Sequence, residues 1–369
     1  MKIKENSRVG RVLILPFFII ASLFLTFFEF SAAFGGSGAF QPIPLFEIDC
    51  ASGGSASVKP SPAGTNDETI SMYAASDFPV SFSVFEKLNL LLVLDPGRER
   101  LCRFDMSGKF LGELKVQAGA NLSGFVWLAS SRASFFIFDG ACEIGVIEAD
   151  MSSGKIFSPL KKIGIPALSE GSPADDFTPG GIWPLAARGA FDEGLLLNAV
   201  FGASSDRAFI YKKGVIAPVK KFPKNFTGSA SFNGGSAVFG VEARGSEAIM
   251  STFDLATGDY DWVPLLKELA PAGAKGEGVK SVRPAGSDAS GCVYIEALYG
   301  GASGAFTACY IYKFNKNGKF MGRVRVPESP EMPARRYIYI DAAGSIFYMK
   351  KSDAPNKVRF YKFTIDELN

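Results

Sequence analysis

The chain has 369 residues, 47% of them hydrophobic and 21% charged, and its 39 Lys+Arg against 37 Asp+Glu leave a net charge of +2. A balance this even excludes a dedicated basic face for nucleic acid. The complete absence of histidine excludes Ser-His-Asp and Cys-His nucleophile pairs, histidine general bases and histidine-ligated zinc or copper.

The N-terminus reads as an export segment. Lys2, Lys4, Arg8 and Arg11 precede Val12–Phe28, which is free of charge, and Ser31-Ala32-Ala33 offers small residues for a signal peptidase. Two outcomes stay open: cleavage after Ala33, which is the preferred reading, or retention of residues 12–28 as a membrane anchor. Either way the basic flank stays in the cytoplasm and the rest is expected outside it, secreted or periplasmic, touching a membrane only through this segment. Residues 34–67 are rich in Gly, Ser and Pro and read as a linker. Gln41–Asp49 can make a short strand inside that linker. The domain is expected to span residues 68–369, opening with a strand at Glu68–Ala75.

From Phe85 onward a pattern repeats. Leu90–Leu94, Leu101–Phe104 and Phe110–Val116 read as short strands, joined by turns at Asp95-Pro96-Gly97 and Met106-Ser107-Gly108. A second unit has Phe125–Leu128, Phe135–Asp139, Gly145–Ala149 and Lys155–Ile163. A third has Trp183–Ala187, Leu195–Phe201, Arg207–Lys212 and Val215–Lys221. A fourth has Ala230–Asn233, Ala237–Ala243, Ala248–Asp254 and Tyr260–Leu266. A fifth has Val282–Pro284, Cys292–Ala297, Ala308–Phe314 and Phe320–Val326. The last has Tyr337–Asp341, Ile346–Lys350 and Val358–Phe363, and is one strand short. Six units of about 40–60 residues, each of four strands, are the signature of an all-β, six-bladed β-propeller. Glu68–Ala75 is expected to complete the last unit and close the ring, removing both free sheet edges.

The run Asp95 to Asp105 followed by Gly108-Lys109-Phe110 resembles the NHL repeat. The fifth and sixth units resemble it in pieces, at Asp288-Ala289-Ser290-Gly291 and Asp341-Ala342-Ala343-Gly344. The resemblance implies a six-bladed propeller, a fold that hosts both binding modules and enzymes. Enzymes of that kind that cleave peptidyl-hydroxyglycine use histidine metal ligands, which this chain lacks. Asp95, Phe104 and Asp105 then read as repeat architecture, and the 34 Phe as packing between blades.

Three long connections should gather on one face: Gly164–Gly181, Tyr299–Thr307 and Val326–Arg336. They nominate Phe177, Tyr299, Phe306 and Arg335 as ligand contacts, aromatic and arginine side chains being the usual anchors of a binding surface. Glu170, Asp175 and Asp176 supply oxygen ligands suited to calcium, but match no defined calcium loop; a solvated acidic loop is the preferred reading. Cys292 and Cys309 can pair across a hairpin or stay as buried thiols. Lys212-Lys213, Lys220-Lys221 and Lys224 read as edge protection. No catalytic residue is nominated and no cofactor is required. The function expected is an extracytoplasmic, non-catalytic propeller that binds a protein, peptide or glycan partner in the cell envelope. The alternative is a calcium-dependent hydrolase or lactonase.

Overall fold

The computed structural model describes residues 43–51, 70–71, 81–95, 98–116, 122–128, 133–138, 143–164, 179–186, 194–201, 205–212, 215–218, 230–232, 237–244, 247–265, 278–300, 306–326, 338–353 and 357–365. The expected export segment and most of the linker and of the long connections lie outside them. Among the described residues, no helix is long and apolar enough to cross a membrane.

The strands, in chain order, are β1 (Ile43–Ala51) and β2 (Ile70–Ser71), then five groups of four and one of three. Sheet I contains β3 (Ser81–Phe85), β4 (Leu90–Asp95), β5 (Arg100–Phe104) and β6 (Phe110–Lys115). Sheet II contains β7 (Leu122–Leu128), β8 (Ala133–Phe138), β9 (Glu143–Asp150) and β10 (Lys155–Gly164). Sheet III contains β11 (Pro179–Ala186), β12 (Gly194–Phe201), β13 (Ser205–Lys212) and β14 (Val215–Pro218). Sheet IV contains β15 (Ala230–Phe232), β16 (Ala237–Arg244), β17 (Glu247–Asp254) and β18 (Tyr260–Pro264). Sheet V contains β19 (Gly278–Ser287), β20 (Val293–Gly300), β21 (Phe306–Phe314) and β22 (Phe320–Val326). Sheet VI contains β23 (Ile338–Ile340), β24 (Ile346–Lys351) and β25 (Lys357–Phe363), to which β1 and β2 are added. Within each group neighbours in sequence pair antiparallel. The first strands of the sheets touch in a closed cycle: β3 with β7, β7 with β11, β11 with β15, β15 with β19, β19 with β23 and β23 with β3. Sheets radiating from a closed ring of first strands make a propeller-type fold.

The sequence explains which strand goes where. The second strand of sheet I is buried on both faces because a sheet lies on each side. Every residue of β4, Leu-Leu-Leu-Val-Leu-Asp, is buried, whereas β18, an outermost strand, exposes Tyr260 and Trp262. The core therefore lies between sheets. Leu90, Leu92, Leu94 and Leu101 of sheet I meet Ile147 and Ala149 of sheet II. Val293, Ile295, Ala297 and Tyr299 of β20 face Phe239, Val241 and Met250 of sheet IV, while Tyr294 faces Ile340 and Ile346 of sheet VI. Alternate side chains of one strand thus cement two different joints.

The strand that completes sheet VI is β1, not Glu68–Ala75. Six register pairs join β1 antiparallel to β25, from Ile43 opposite Lys362 to Asp49 opposite Lys357. Of the expected closing strand, only Ile70 and Ser71 lie in a described strand, paired parallel with Cys50 and Ala51 at the outer edge. The physical reason is side-chain fit. Ile48 is buried, and the Phe46 ring sits 5.2 Å from that of Phe360. Glu47 Oε1 accepts from Ser352 Oγ at 2.6 Å and from Arg359 Nε at 2.7 Å. The first strand of sheet I, Ser81–Phe85, was not among the expected strands either.

Several described turn glycines sit tightly against the neighbouring sheet. Gly108, at φ +87°, leaves so little room that a Cβ there would lie 2.8 Å from the Phe46 ring. The turn of sheet I is therefore seated on the closing strand of sheet VI. Gly108→Ala should cost about 1–3 kcal/mol through strain and overlap. In a Phe46→Gly background the overlap part of that cost should vanish and the backbone strain of the positive φ should remain; equal losses in both backgrounds, measured by denaturant titration, would disprove the contact.

Candidate functional site

Antiparallel order gives the ring two unlike ends. Turns from first to second strand and from third to fourth share one end. Second-to-third and sheet-to-sheet junctions share the other, and the described strands that flank all three long connections end there.

The turn end is built from Asp or Asn followed by Gly. In sheet I, Asp105 Oδ1 accepts from Ser107 N at 2.9 Å, Ser107 Oγ at 2.6 Å and Lys109 N at 2.9 Å. Asp150 in sheet II accepts from Ser152 N at 3.0 Å, Ser152 Oγ at 2.6 Å and Ser153 Oγ at 2.8 Å. Asp254 in sheet IV and Asn315 in sheet V repeat the device. Between first and second strands, Asp288 Oδ1 accepts from Ser290 and Cys292, and Asp341 Oδ1 from Ala343 N and Ser345 N. The Ser107 hydroxyl, ahead of the Lys109 N–H, holds Asp105 below the usual carboxylate range. The hydroxyls of Ser152 and Ser153 hold Asp150 at about 2. These carboxylates fold their own turns, so the architectural reading of Asp105 is borne out by its hydrogen bonds.

Buried ionisable groups are likewise bound into the frame. Asp95 is fully buried and takes Arg100 Nε at 3.0 Å, and Arg100 also reaches Glu113. Buried Glu296 faces Arg283, which bonds both of its oxygens, and Cys309 Sγ lies 3.5 Å from Oε1. Burial pushes the Cys102 thiol up to about 12 and raises Cys309 further, with Glu296 adding to the effect. Burial likewise raises the hydroxyls of Tyr294, Tyr299, Tyr312 and Tyr348. Protonated thiols and phenols of this kind are poor nucleophiles.

Of the two readings of this cysteine pair, the structure shows the thiols. Cys292 and Cys309 are free thiols. Register separates them: Cys309 stands opposite Leu298, whereas Cys292 precedes Val293, which stands opposite Phe314. Tyr299 is also not on a ligand surface. It is fully buried, its hydroxyl lies 2.5 Å from that of Tyr312, and Tyr310 meets its ring edge-on at 5.6 Å. A β-strand extends through Tyr299 to Gly300, so this residue ends a strand instead of starting a loop. Phe306 opens β21 opposite Gly300. Phe177, Arg335 and the acidic set Glu170, Asp175 and Asp176 lie outside the described residues, as do Lys213, Lys220, Lys221 and Lys224. Among the described residues, no group of three or more Cys, Asp or Glu is placed to hold a metal ion. The polar networks at Asp95 and Glu296 escaped sequence reasoning because cross-strand partners are fixed by register, which spacing alone does not reveal.

Fold and ring geometry together define an all-β protein of propeller type. No family model and no curated protein matches the sequence. Among solved structures, a member of the DUF4221 family from Bacteroides vulgatus is similar in fold, with 11% identity over 89% of this chain and 99% of that one, at a TM-score of 0.53. A luciferin-regenerating enzyme has 12% identity over 79% and 93%, at 0.47. The calcium-binding protein regucalcin from Agrobacterium tumefaciens has 12% identity over 79% and 93%, at 0.44.

Proposed function

We propose that the chain is an extracytoplasmic six-bladed β-propeller, built from variants of an NHL-like repeat, that binds a protein, peptide or glycan partner and performs no catalysis. The observation that carries this reading is the contrast between the two ends. At the turn end, the described carboxylates of Asp105, Asp150, Asp254 and Asp288 are engaged with their own turns. The described strands that flank the long connections end at the opposite end, and loops of that kind are where binding surfaces usually gather. Phe177, Phe306 and Arg335 are the proposed anchors, a few side chains of this kind carrying most of the energy of such a surface.

The test is a set of full-length alanine variants read two ways. A pull-down from cell-envelope extract with the unaltered protein first supplies the partner. Phe177→Ala, Phe306→Ala and Arg335→Ala should each weaken that partner by about 1–3 kcal/mol with the melting temperature nearly unchanged. Tyr299→Ala should do the reverse, losing about 3–5 kcal/mol of stability as a large core side chain is removed. Unaltered binding in all three loop variants sinks the proposal. Stoichiometric calcium in the purified protein, with hydrolysis that a chelator abolishes, would establish the hydrolase instead.

A further inference from the structure

The outer edge of sheet IV resists strand pairing yet keeps two aromatic side chains exposed. Asp254 N donates to Asp259 O at 2.9 Å and Leu265 N to Ala248 O at 2.8 Å, so the odd-numbered residues of β18 bond inward to β17. The even-numbered ones point their backbone groups outward. At Trp262 that outward N–H donates to Asp261 Oδ1 at 2.7 Å, and Pro264 has no N–H to offer. Both devices deter a further strand from adding to this edge. Tyr260 and Trp262 nevertheless remain 40% and 56% exposed. They share one face of the strand: Ser251 stands opposite Trp262, and its Oγ lies 3.4 Å from the Tyr260 hydroxyl. The other face is occupied, since a Cβ on Gly318 of sheet V would lie 2.6 Å from Val263 Cγ1. The exposed Lys316 and Lys319 belong to that sheet V turn, on the side away from the two rings. From Glu247 to Leu266 the hairpin holds Glu247, Asp254, Asp259 and Asp261 and no lysine or arginine. Asp254 is engaged in its own turn, accepting from Ala256 N and Thr257 N. The Asp261 carboxylate is held at the open edge by the Trp262 N–H.

We propose that β18 is a docking surface for an arginine-bearing segment of a partner protein, with a guanidinium lying flat on Trp262 and reaching the Asp261 carboxylate. The chemistry of the edge selects this occupant. A partner strand, or a second copy paired edge to edge, would need the N–H groups that Asp261 and Pro264 withhold. A hairpin with acids and no bases attracts a cation, and exposed indole and phenol faces bind cations through their ring electrons. Arginine meets both demands at once, because its planar guanidinium stacks on a ring and forks to a carboxylate. The chain uses the same pairing inside sheet V, where Arg323 lies 5.5 Å from the Tyr310 ring and 6.0 Å from that of Tyr312. The surface belongs to the outer rim of the ring and does not rest on the partner surface proposed above.

The experiment follows, by fluorescence anisotropy, the binding of a labelled peptide of alternating Gly and Arg to the full chain. Wild type should bind it, and should bind far more weakly a peptide with citrulline for arginine, which keeps the shape and lacks the charge. Trp262→Ala should weaken binding roughly 3–10-fold and leave the melting temperature nearly unchanged, because the ring is half exposed. Asp261→Asn keeps an acceptor for the Trp262 N–H but loses the charge. It should weaken binding and flatten its decline with added salt. The proposal is overturned if wild type does not bind the arginine peptide, if the citrulline peptide binds equally well, or if Trp262→Ala binds as wild type does. Binding of a neutral oligosaccharide such as chitotetraose in preference to the peptide, lost in Trp262→Ala, also overturns it and makes the edge a glycan platform. Should Trp262→Ala fail to fold, Asp261→Asn decides, and unaltered affinity with unaltered salt dependence overturns the proposal.

Discussion

A protein that begins at Gln41 should fold as the full chain does, whereas one that begins at Ser52 should lose cooperative unfolding and associate. Residues from Gln41 to Asn369 form one compact unit, and β1 is its entry strand. Removing β1 uncovers the edge of β25, frees the Arg359 guanidinium from Glu47 and strips the Phe360 ring of its Phe46 neighbour. Loss of Ile48 and Phe46 burial alone should cost about 2–5 kcal/mol. That is a large part of the roughly 5–15 kcal/mol that stabilises a domain. The bared strand is also a template for pairing with another copy. Calorimetry and size-exclusion chromatography of the two proteins decide the matter, and equal melting with equal elution would refute the assignment of β1. Acid below the ordinary glutamate value should mimic part of the deletion. The Ser352 hydroxyl, followed by Arg359, holds Glu47 below the ordinary glutamate value. Its contribution is present above the unfolded value and is lost as the pH falls through the folded one.

The second large effect is expected at Arg100. This side chain is almost fully buried between Asp95, which is completely so, and Glu113. Among the described residues Asp95 Oδ1 has no hydrogen-bond partner, and Oδ2 takes Arg100 Nε. Arg100→Met should leave a buried carboxylate without compensation and cost about 3–5 kcal/mol. Changing Asp95 to Leu in the same protein should recover most of that loss, since a buried ion pair is often no more stable than an apolar pair of similar volume. A double-mutant cycle in denaturant measures the coupling. Two losses that simply add would mean that Arg100 acts through packing of its stem and not through Asp95.

Much of the fold was legible because its strands are local. Runs such as Leu90–Leu94 announce a second strand, and the Asp-x-x-Gly and Asn-x-x-Gly turns announce the hairpins that follow. The closing strand was legible as a strand but not as the closing one. Ile-Pro-Leu-Phe-Glu-Ile alternates well enough, yet nothing in it names a partner 312 residues away, where Arg359 meets Glu47. The attraction of Glu68–Ala75 was its position just ahead of the first unit, and position in sequence does not decide which strand fits a groove. Tyr299 misled for a related reason. Beside Gly300-Gly301 it reads as a loop aromatic, but the register of β20 against β21 carries the sheet through Gly300 and turns the ring into the joint with sheet IV. Local chemistry announces turns; register decides neighbours.

The splice of β1 into the last sheet also fixes a timetable. Chains are made from the N-terminus at about 5–20 residues per second, and the hydrogen bond from Ser352 to Glu47 spans 305 residues. Roughly 15–60 s therefore separates the synthesis of this strand from that of its partner. Throughout that interval Phe46 and Ile48 have no sheet to join, and a chain cut short before β25 never offers them one. A complete chain packs this strand against β25; an incomplete one displays it. The strand therefore marks unfinished molecules by the apolar edge they leave uncovered, the kind of surface that chaperones and proteases seize.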